Sequence, residues 1–580
     1  MARITNTVRN ASLLALAAGA AFTPAAEAQR FQWIYGTEAS EYTCDIEHTF
    51  DGGYATAGSR DGIFSATGFD PADFHVVKTD PLGGPMWSVQ FGGFARDAGH
   101  SLMPTRDGGY IVAGQTESTG STLGLGLLRL DPFGSPLWAF TYTADVFFEI
   151  PNPMDPEDPP QVAVRETEDG DIIAVANLAT GIPGAPGSTS ATYVRTDAGG
   201  GLIVQMVYTL GFVNDDEFVV FTDIKELPDR SMVISGYVSG RQQSDPTTGG
   251  PGGGDVDALA LRISPSGSLL WANRYFEITP DQISLNEEGY GLDVGPNGDF
   301  LVMSGVSDRS GGDLDGIHLW IDTMTGAVIT TNSLKDFAPA WAATRIDWRS
   351  LDVSTAGEYP PAFFGGFSTG IGAAVAFDFA ASPLWFNTYG PLTSTSRDRL
   401  EAVAPAFESC GWAYTGTKSL PLFGAIDIHN VKVNDLGDSK CFQDAHQPGF
   451  DEPRFRWLPV AFEQFTIQGQ EEWGIFEDIT LEAEPLCLDD RCDDPTAPCN
   501  PDVTTDGTNP GDPGYGVPDG SVTVADLTYF VEQWINGVVA VADVTTDGTN
   551  PGDPGYGVPD GLVTIADLTY YVEIYLNGCP

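Results

Sequence analysis

Along most of the chain, apolar residues alternate with polar or small ones in short runs, and turns rich in Asp, Gly and Pro separate the runs. A period of two predicts half-buried β-strands, and Asp-Gly before such a run predicts a tight turn. The clearest run follows Asp51-Gly52-Gly53 as Tyr54-Ala55-Thr56-Ala57-Gly58, and it recurs after Asp107-Gly108-Gly109 as Tyr110-Ile111-Val112-Ala113-Gly114. A second pattern follows each. Val76-Val77-Lys78-Thr79-Asp80-Pro81-Leu82-Gly83 leads to Trp87, and Leu127-Leu128-Arg129-Leu130-Asp131-Pro132-Phe133-Gly134 leads to Trp138.

Looser copies continue at Asp169, Asp229, Asn297, near Gly357 and at about residue 410, with second elements at Asp197, Ser264, Asp322, Asp378 and Asp435. The pattern therefore predicts seven units of three to four strands each, about the size of a propeller blade. A lone blade cannot bury both faces, and closing the ring removes open edges. An open solenoid or separate sandwiches are the alternatives. The units resemble bacterial secreted propeller repeats carrying Asp-Gly-Gly-Tyr, Lys-x-Asp-x-x-Gly and Trp. That resemblance implies a scaffold rather than a reaction. The expected organisation is a leader over 1–28, a seven-bladed β-propeller over 29–442, a β extension and acidic linker over 443–498, and a small helical domain over 499–580.

The last segment carries the most specific chemistry. Asp502-Val503-Thr504-Thr505-Asp506-Gly507 through Asp526-Leu527-Thr528-Tyr529 recurs as Asp543-Val544-Thr545-Thr546-Asp547-Gly548 through Asp567-Leu568-Thr569-Tyr570. Each copy ends in Asp-Gly-x-Val-Thr-x-Ala-Asp-Leu, the back half of an EF-hand-like loop. Calcium takes oxygen donors at alternating positions of such a loop. The candidate ligands are Asp502, Thr504, Asp519, Ser521 (carbonyl), Thr523 and Asp526. In the second copy they are Asp543, Thr545, Asp560, Leu562 (carbonyl), Thr564 and Asp567, giving two Ca²⁺ sites. Asp506 and Asp547 compete with Asp519 and Asp560 for the middle position, because the loops are longer than an EF-hand loop. A helix is predicted after each loop, with stripes at Leu527, Phe530, Val531, Trp534 and Ile535, and at Leu568, Tyr571, Val572, Tyr575 and Leu576. Cys499 and Cys579 bracket the unit and are expected to pair by disulfide.

These segments resemble a dockerin, more closely the GC-type dockerin that anchors diverse secreted proteins. The resemblance implies calcium-dependent folding and docking on a protein partner of the cohesin type or on a cell-surface component. It also implies that Val524, Ala525, Ile565 and Ala566, at loop positions 10 and 11, contact that partner.

Charge and leader narrow the remaining possibilities. The 580 residues carry 80 acidic against 27 basic side chains, a formal net charge of −53, which disfavours nucleic acid and anionic membranes as partners. Arg3 and Arg9, the apolar run Ser12 to Phe22 and Ala26-Glu27-Ala28 read as an export signal, which predicts an extracellular location. No later segment is apolar for long enough to span a membrane. The seven cysteines then favour disulfides over thiolate chemistry. No histidines stand at metal-ligand spacing such as H-E-x-x-H, no phosphate loop is present, and no catalytic residue is assigned. A secreted interaction protein is expected, with a glycan or protein ligand on the propeller. A polysaccharide-degrading hydrolase carrying a dockerin is the alternative. The segments Asp145 to Asp158 and Asp245 to Asp255 are the expected ligand-facing insertions.

Overall fold

The Asp-Gly turns fold the alternating runs into antiparallel meanders. A computed structural model describes the strands and most turns between residues 30 and 489, and residues 524–535 and 563–577. The described strands form seven five-stranded sheets. In the first, Glu41–His48, Tyr54–Arg60, Asp73–Thr79 and Pro85–Gly92 pair in succession. Five further meanders begin at the inner strands Asp97–Pro104, Ala163–Glu166, Val219–Glu226, Asn286–Val294 and Ile346–Val353. The seventh sheet joins Arg399–Pro405, Trp412–Lys418 and Asp427–Val433 to the first strand of the protein, Arg30–Gly36, with Phe31 opposite Lys432. Each sheet packs on the next and the seventh on the first, a propeller arrangement closed on itself.

The units read from the sequence begin at the Asp-Gly turn, which lies between the first and second strands of a sheet. Each sheet therefore starts one strand earlier than its unit. The last unit lacks an outer strand, and Arg30–Gly36 supplies it.

The segment after residue 442, expected as a β extension and acidic linker, forms short strands that run round the ring in reverse order. Gln443–Ala445 pairs with the outer strand of the sixth sheet, Gly449–Asp451 with the fifth, Phe455–Pro459 with the fourth and Glu463–Thr466 with the third. Glu471–Glu472 and Ile475–Asp478 follow on the second and first. Glu482–Asp489 then pairs along Arg30–Gly36. Every sheet thus gains a fifth strand that covers main-chain groups of an otherwise open edge.

Sheet faces meet through apolar layers. Ala55, Phe74 and Val76 of the first sheet pack with Leu102, Val112 and Leu128 of the second, and all six are buried. Burial of such side chains contributes roughly 1.5–3 kcal/mol for each large one. A polar clamp recurs between neighbours. Asp197 Oδ1 accepts from the Gly199 and Gly201 amides at 2.9 and 2.8 Å, holding the turn. Gly200 in that turn has φ 82°, a conformation that favours glycine. Its carbonyl accepts the Tyr142 hydroxyl of the preceding sheet at 2.6 Å. The same contact joins Tyr275 to Gly326 at 2.8 Å and Tyr389 to Gly437 at 2.7 Å. The recurrent tryptophans also lie on these turns. Trp33 donates to the Leu82 carbonyl at 2.9 Å and Trp271 to that of Thr323 at 2.9 Å.

Helices α1, Val524–Ile535, and α2, Ile565–Asn577, pack on each other. The Phe530 and Tyr571 rings stack at 3.6 Å, with Leu527, Trp534 and Leu568 around them. Ile535, predicted in the buried stripe, is 70% exposed because it ends α1, and Tyr570 is buried instead.

Two outcomes are expected. Tyr142→Phe leaves the Gly200 carbonyl short of a donor and lowers the unfolding free energy by about 1 kcal/mol, read from urea titration. Ending the chain at residue 442 bares the outer edges, and light scattering should then detect aggregation at concentrations where the full chain remains dispersed.

Candidate axial site

The inner strands have one neighbour each, so half of their amides face the axis of the ring. A bulge in most of these strands turns one side chain toward that axis. These side chains satisfy the amides. Asp45 Oδ2 accepts from Leu102 N of the next sheet at 2.8 Å, Ser101 Oγ from Val164 N at 3.2 Å, and Ser350 Oγ from Val403 N at 3.3 Å. Asp223 Oδ2 accepts from Leu292 N at 3.1 Å. Two sheets present alanine, Ala163 and Ala402, at this place, and alanine accepts nothing. In both cases the following strand carries aspartate, whose Oδ1 takes its own next amide: Asp223 to Ile224 N at 2.8 Å and Asp45 to Ile46 N at 2.9 Å.

The next axial layer is charged. Cα register places Glu47, Met103, Arg165, Lys225, Asp293, Asp352 and Ala404 at equivalent positions of the inner strands. Arg165 meets Asp223 at 3.2 Å and Lys225 meets Asp293 at 3.3 Å. Asp293 also accepts from Val353 N at 2.7 Å. Burial acts against the charge on Lys225, but Asp293 outweighs it and raises the pKa above the ordinary lysine value. Burial pushes Asp352 well above the usual carboxylate range, and repulsion from Asp293 adds to it. Burial also raises Asp45, opposed by Arg165. Glu47 is pushed up to about 7 by burial, against the attraction of Arg165.

Beside the first of these layers lies a small polar pocket of about 50 Å³. Asp45, Ser101, Arg165, Asp223, Gly291, Ser350 and Ala402 line it, one from each sheet. Asp45 and Asp223 in its lining accept main-chain amides, and Asp223 also meets Arg165. It has room for a few waters or a very small polar ligand.

Sequence reading did not single out this layer, because with 80 acids an acidic pair carries little information. A positional signal was available. Glu47, Arg165, Lys225 and Asp293 each stand four residues before the turn residues Asp51, Asp169, Asp229 and Asn297.

Most of the expected calcium ligands lie outside the described residues: Asp502, Thr504, Asp519, Ser521, Thr523, Asp543, Thr545, Asp560 and Leu562, with the competing Asp506 and Asp547. The same holds for Cys499, Cys579 and the two expected ligand-facing insertions. Asp526, Val524 and Ala525 fall within α1. The structure brings Thr564 and Asp567 together at the start of α2. Asp567 Oδ2 accepts from Thr564 N at 2.7 Å, and Thr564 Oγ1 accepts from Ala566 N at 3.1 Å, a reciprocal helix cap. This pair of oxygen donors at one point fits a hard cation, and Asp567 is fully buried. Ile565 is 67% exposed, and Ala566 is partly so. Among the described residues no group of three or more His, Cys, Asp or Glu side chains is arranged to hold a metal ion. No helix among them is long and apolar enough to cross a membrane.

Comparison with family models finds no match, and no curated protein matches. Solved structures similar in shape include a protein from Lactobacillus plantarum, at 12% identity and TM-score 0.38, covering 74% of this chain and 99% of that one. An ulvan lyase of polysaccharide lyase family 25 is similar at 10% identity and TM-score 0.39, covering 69% and 95%. The periplasmic gluconolactonase of Pseudomonas aeruginosa is similar at 14% identity and TM-score 0.28, covering 56% and 94%.

Glu47 supplies a test of the axial layer. Its pKa is higher folded than unfolded, so the folded chain holds a proton there that the unfolded chain releases, and stability falls as pH rises from about 4.5 to about 7. Glu47→Gln should raise stability at pH 8 by roughly 1–2 kcal/mol, a value reduced because Glu47 is partly open to the axis. It should change little at pH 4. Urea midpoints across that range read the difference.

Proposed function

We propose that this chain is a secreted, non-catalytic interaction protein: a seven-bladed β-propeller attached to a partner through a calcium-dependent, dockerin-type C-terminal module. The observation that carries the attachment is the duplication. Two near-identical oxygen-rich segments each precede a helix, and the helices meet through the Phe530–Tyr571 stack. Two loops that each gather oxygens around Ca²⁺ would fix both helix starts and present Ile565 and its counterpart Val524 to a protein of the cohesin type or to a cell-surface component. Calcium supplies only the electrostatic cross-link of the loop oxygens. Thr564 and Asp567 would hold it from the second loop, with Asp543, Thr545, Asp560 and the Leu562 carbonyl. Asp502, Thr504, Asp519, Ser521, Thr523 and Asp526 would serve the first. A Cys499–Cys579 bond would clasp the ends.

The scaffold role of the propeller is supported by its axis. The carboxylates there accept amide hydrogen bonds or face Arg165 and Lys225, and Asp45 also accepts from the Ser101 hydroxyl at 3.0 Å. A glycan or protein would instead meet the loops of one face. One feature favours the alternative, a polysaccharide hydrolase: Glu47, with its raised pKa, stands close enough to Asp45 for the two carboxylates to repel.

Scanning calorimetry on the full chain separates these readings. Added calcium should raise the transition of the small module by several degrees, and chelation should reverse the shift and release the partner in a pull-down. A transition and a pull-down both indifferent to chelation would defeat the attachment. Turnover of a polysaccharide that disappears in Glu47→Gln would replace the scaffold reading with the hydrolase.

A further inference from the structure

The fifth strand covers the outer edge of six sheets only in part. In the fourth sheet Phe455–Pro459 pairs along Asn273 to Glu277 of the outer strand Leu269–Glu277. In the third, Glu463–Thr466 pairs along Met206 to Thr209 of Leu202–Thr209, and in the fifth, Gly449–Asp451 pairs along Ser333 to Lys335 of Val328–Lys335. The start of each outer strand, next to its tight turn, has no strand beside it among the described residues. The first, second and sixth sheets repeat this arrangement. Each uncovered start carries a bulge. In the fourth sheet Arg262 lies opposite Trp271 and Ile263 opposite Leu269, so Leu270 is the extra residue. Its equivalents are Met86, Leu137, Ile203, Ile329 and Leu384. All six are apolar, and each is between 47% and 57% exposed.

The seventh sheet shows the same edge covered. Leu270 stands five residues before Tyr275, whose hydroxyl donates to the Gly326 carbonyl, and Arg30 stands five before Tyr35, whose hydroxyl donates to that of Gly83. Arg30 is therefore the counterpart of Leu270. Here Glu482–Asp489 runs the full length of the outer strand, with Asp489 opposite Arg30 and Leu488 opposite Phe31. Arg30 is buried and pairs with Asp438 at 3.0 Å. Where a strand reaches this position the residue is charged and covered. Where none reaches it the residue is apolar and exposed, the reverse of the charge or proline that guards an unused edge. Proline does open the outer strands of the first, second and sixth sheets, at Pro85, Pro136 and Pro383. The third, fourth and fifth sheets have Leu202, Leu269 and Val328 there, so in these three consecutive sheets nothing guards the edge. Exposed Met324 in the turn of the fifth sheet and Trp457 on the belt strand of the fourth extend the same apolar arc. Asp197 and Asp322 stand in the turns beside it, and the whole chain carries a formal net charge of −53. That charge favours a basic partner and opposes a second copy of the chain.

We propose that the uncovered outer edges of the third, fourth and fifth sheets are docking sites for extended segments of a partner protein that alternate basic and aliphatic residues. Each segment adds as an antiparallel strand that continues the belt toward the turn, as Glu482–Asp489 does in the seventh sheet. Main-chain hydrogen bonds hold the added strand. Its aliphatic side chains cover Ile203, Leu270 or Ile329, and its basic ones face the acidic turns. This names a partner class for the propeller and rests on its being a binding scaffold; it does not depend on calcium or on the C-terminal module.

The test is amide hydrogen exchange, read by mass spectrometry on the full chain, with a short capped peptide of alternating lysine and valine. The peptide should slow exchange severalfold at 202–205, 269–272 and 328–332 and leave 30–36 unchanged. A peptide of alternating glutamate and valine should protect none of them. Leu270→Lys, at an exposed position, should keep the urea midpoint and weaken protection of the fourth sheet about tenfold, with the third and fifth unaffected. Equal protection by the acidic peptide, or a fourth sheet indifferent to Leu270→Lys, would overturn the sites. Amides already protected in the free chain, or protected as its concentration rises, would assign the edges to the chain's own segments or to a second copy and overturn the partner. The same protection is expected in the presence of a chelator, so failure here is distinct from failure of the calcium-dependent attachment.

Discussion

Each meander has two open edges, and the need to satisfy the main-chain groups along both of them shapes the rest of the molecule. At the inner edge no further strand fits, because the sheets converge. Side chains take its place: Asp45, Ser101, Asp223 and Ser350 accept amides from the neighbouring strand. At the outer edge there is room, and the chain lays a fifth strand on every sheet. Both solutions link one sheet to another. The edges that would threaten solubility are the places where the ring is held together.

The inner solution has an electrostatic consequence. Aspartate follows the two sheets that offer alanine, and its two oxygens serve its own next amide and the neighbouring strand at once. Carboxylates therefore accumulate on the axis, and Arg165 and Lys225 stand among them. The cations are not evenly spread: Arg165 and Lys225 come from consecutive sheets, while Asp293 and Asp352 come from the next two. Burial holds the Asp352 carboxyl well above the usual carboxylate range, and repulsion from Asp293 adds to it. A buried mixed cluster of this kind contributes less to stability than its contact distances suggest, because desolvation offsets the Coulomb attraction.

The meanders were legible in the sequence because each sheet writes its own turns. Asp51-Gly52-Gly53 and Asp80-Pro81-Leu82-Gly83 name local geometry, and local geometry needs no partner. The outer belt was not legible for the opposite reason. Glu471–Glu472 and Gln443–Ala445 are too short to show a period of two, and nothing within 443–489 states that its strands pair with residues hundreds of positions away. The axial charges fall between these cases. Their spacing from the turns is regular, but their meaning depends on closure of the ring. Of the helix stripes, Leu527, Phe530, Trp534, Leu568 and Tyr571 meet in the small core, whereas Ile535 is exposed, where the period continues past the point at which α1 has a neighbour.

The first and last described strands of the ring meet in the seventh sheet, which therefore depends on closure more than any other. Arg30–Gly36 pairs with Asp427–Val433 on one side and with Glu482–Asp489 on the other, so the first strand lies between two strands that arrive much later in synthesis. In the first four sheets a cation on the third strand braces the turn from within: Lys78, Arg129, Arg195 and Arg262 pair with Asp51, Asp107, Asp171 and Asp229. In the seventh, main-chain pairing across the closure and the Tyr389–Gly437 clamp from the sixth sheet tie strands distant in sequence into one unit.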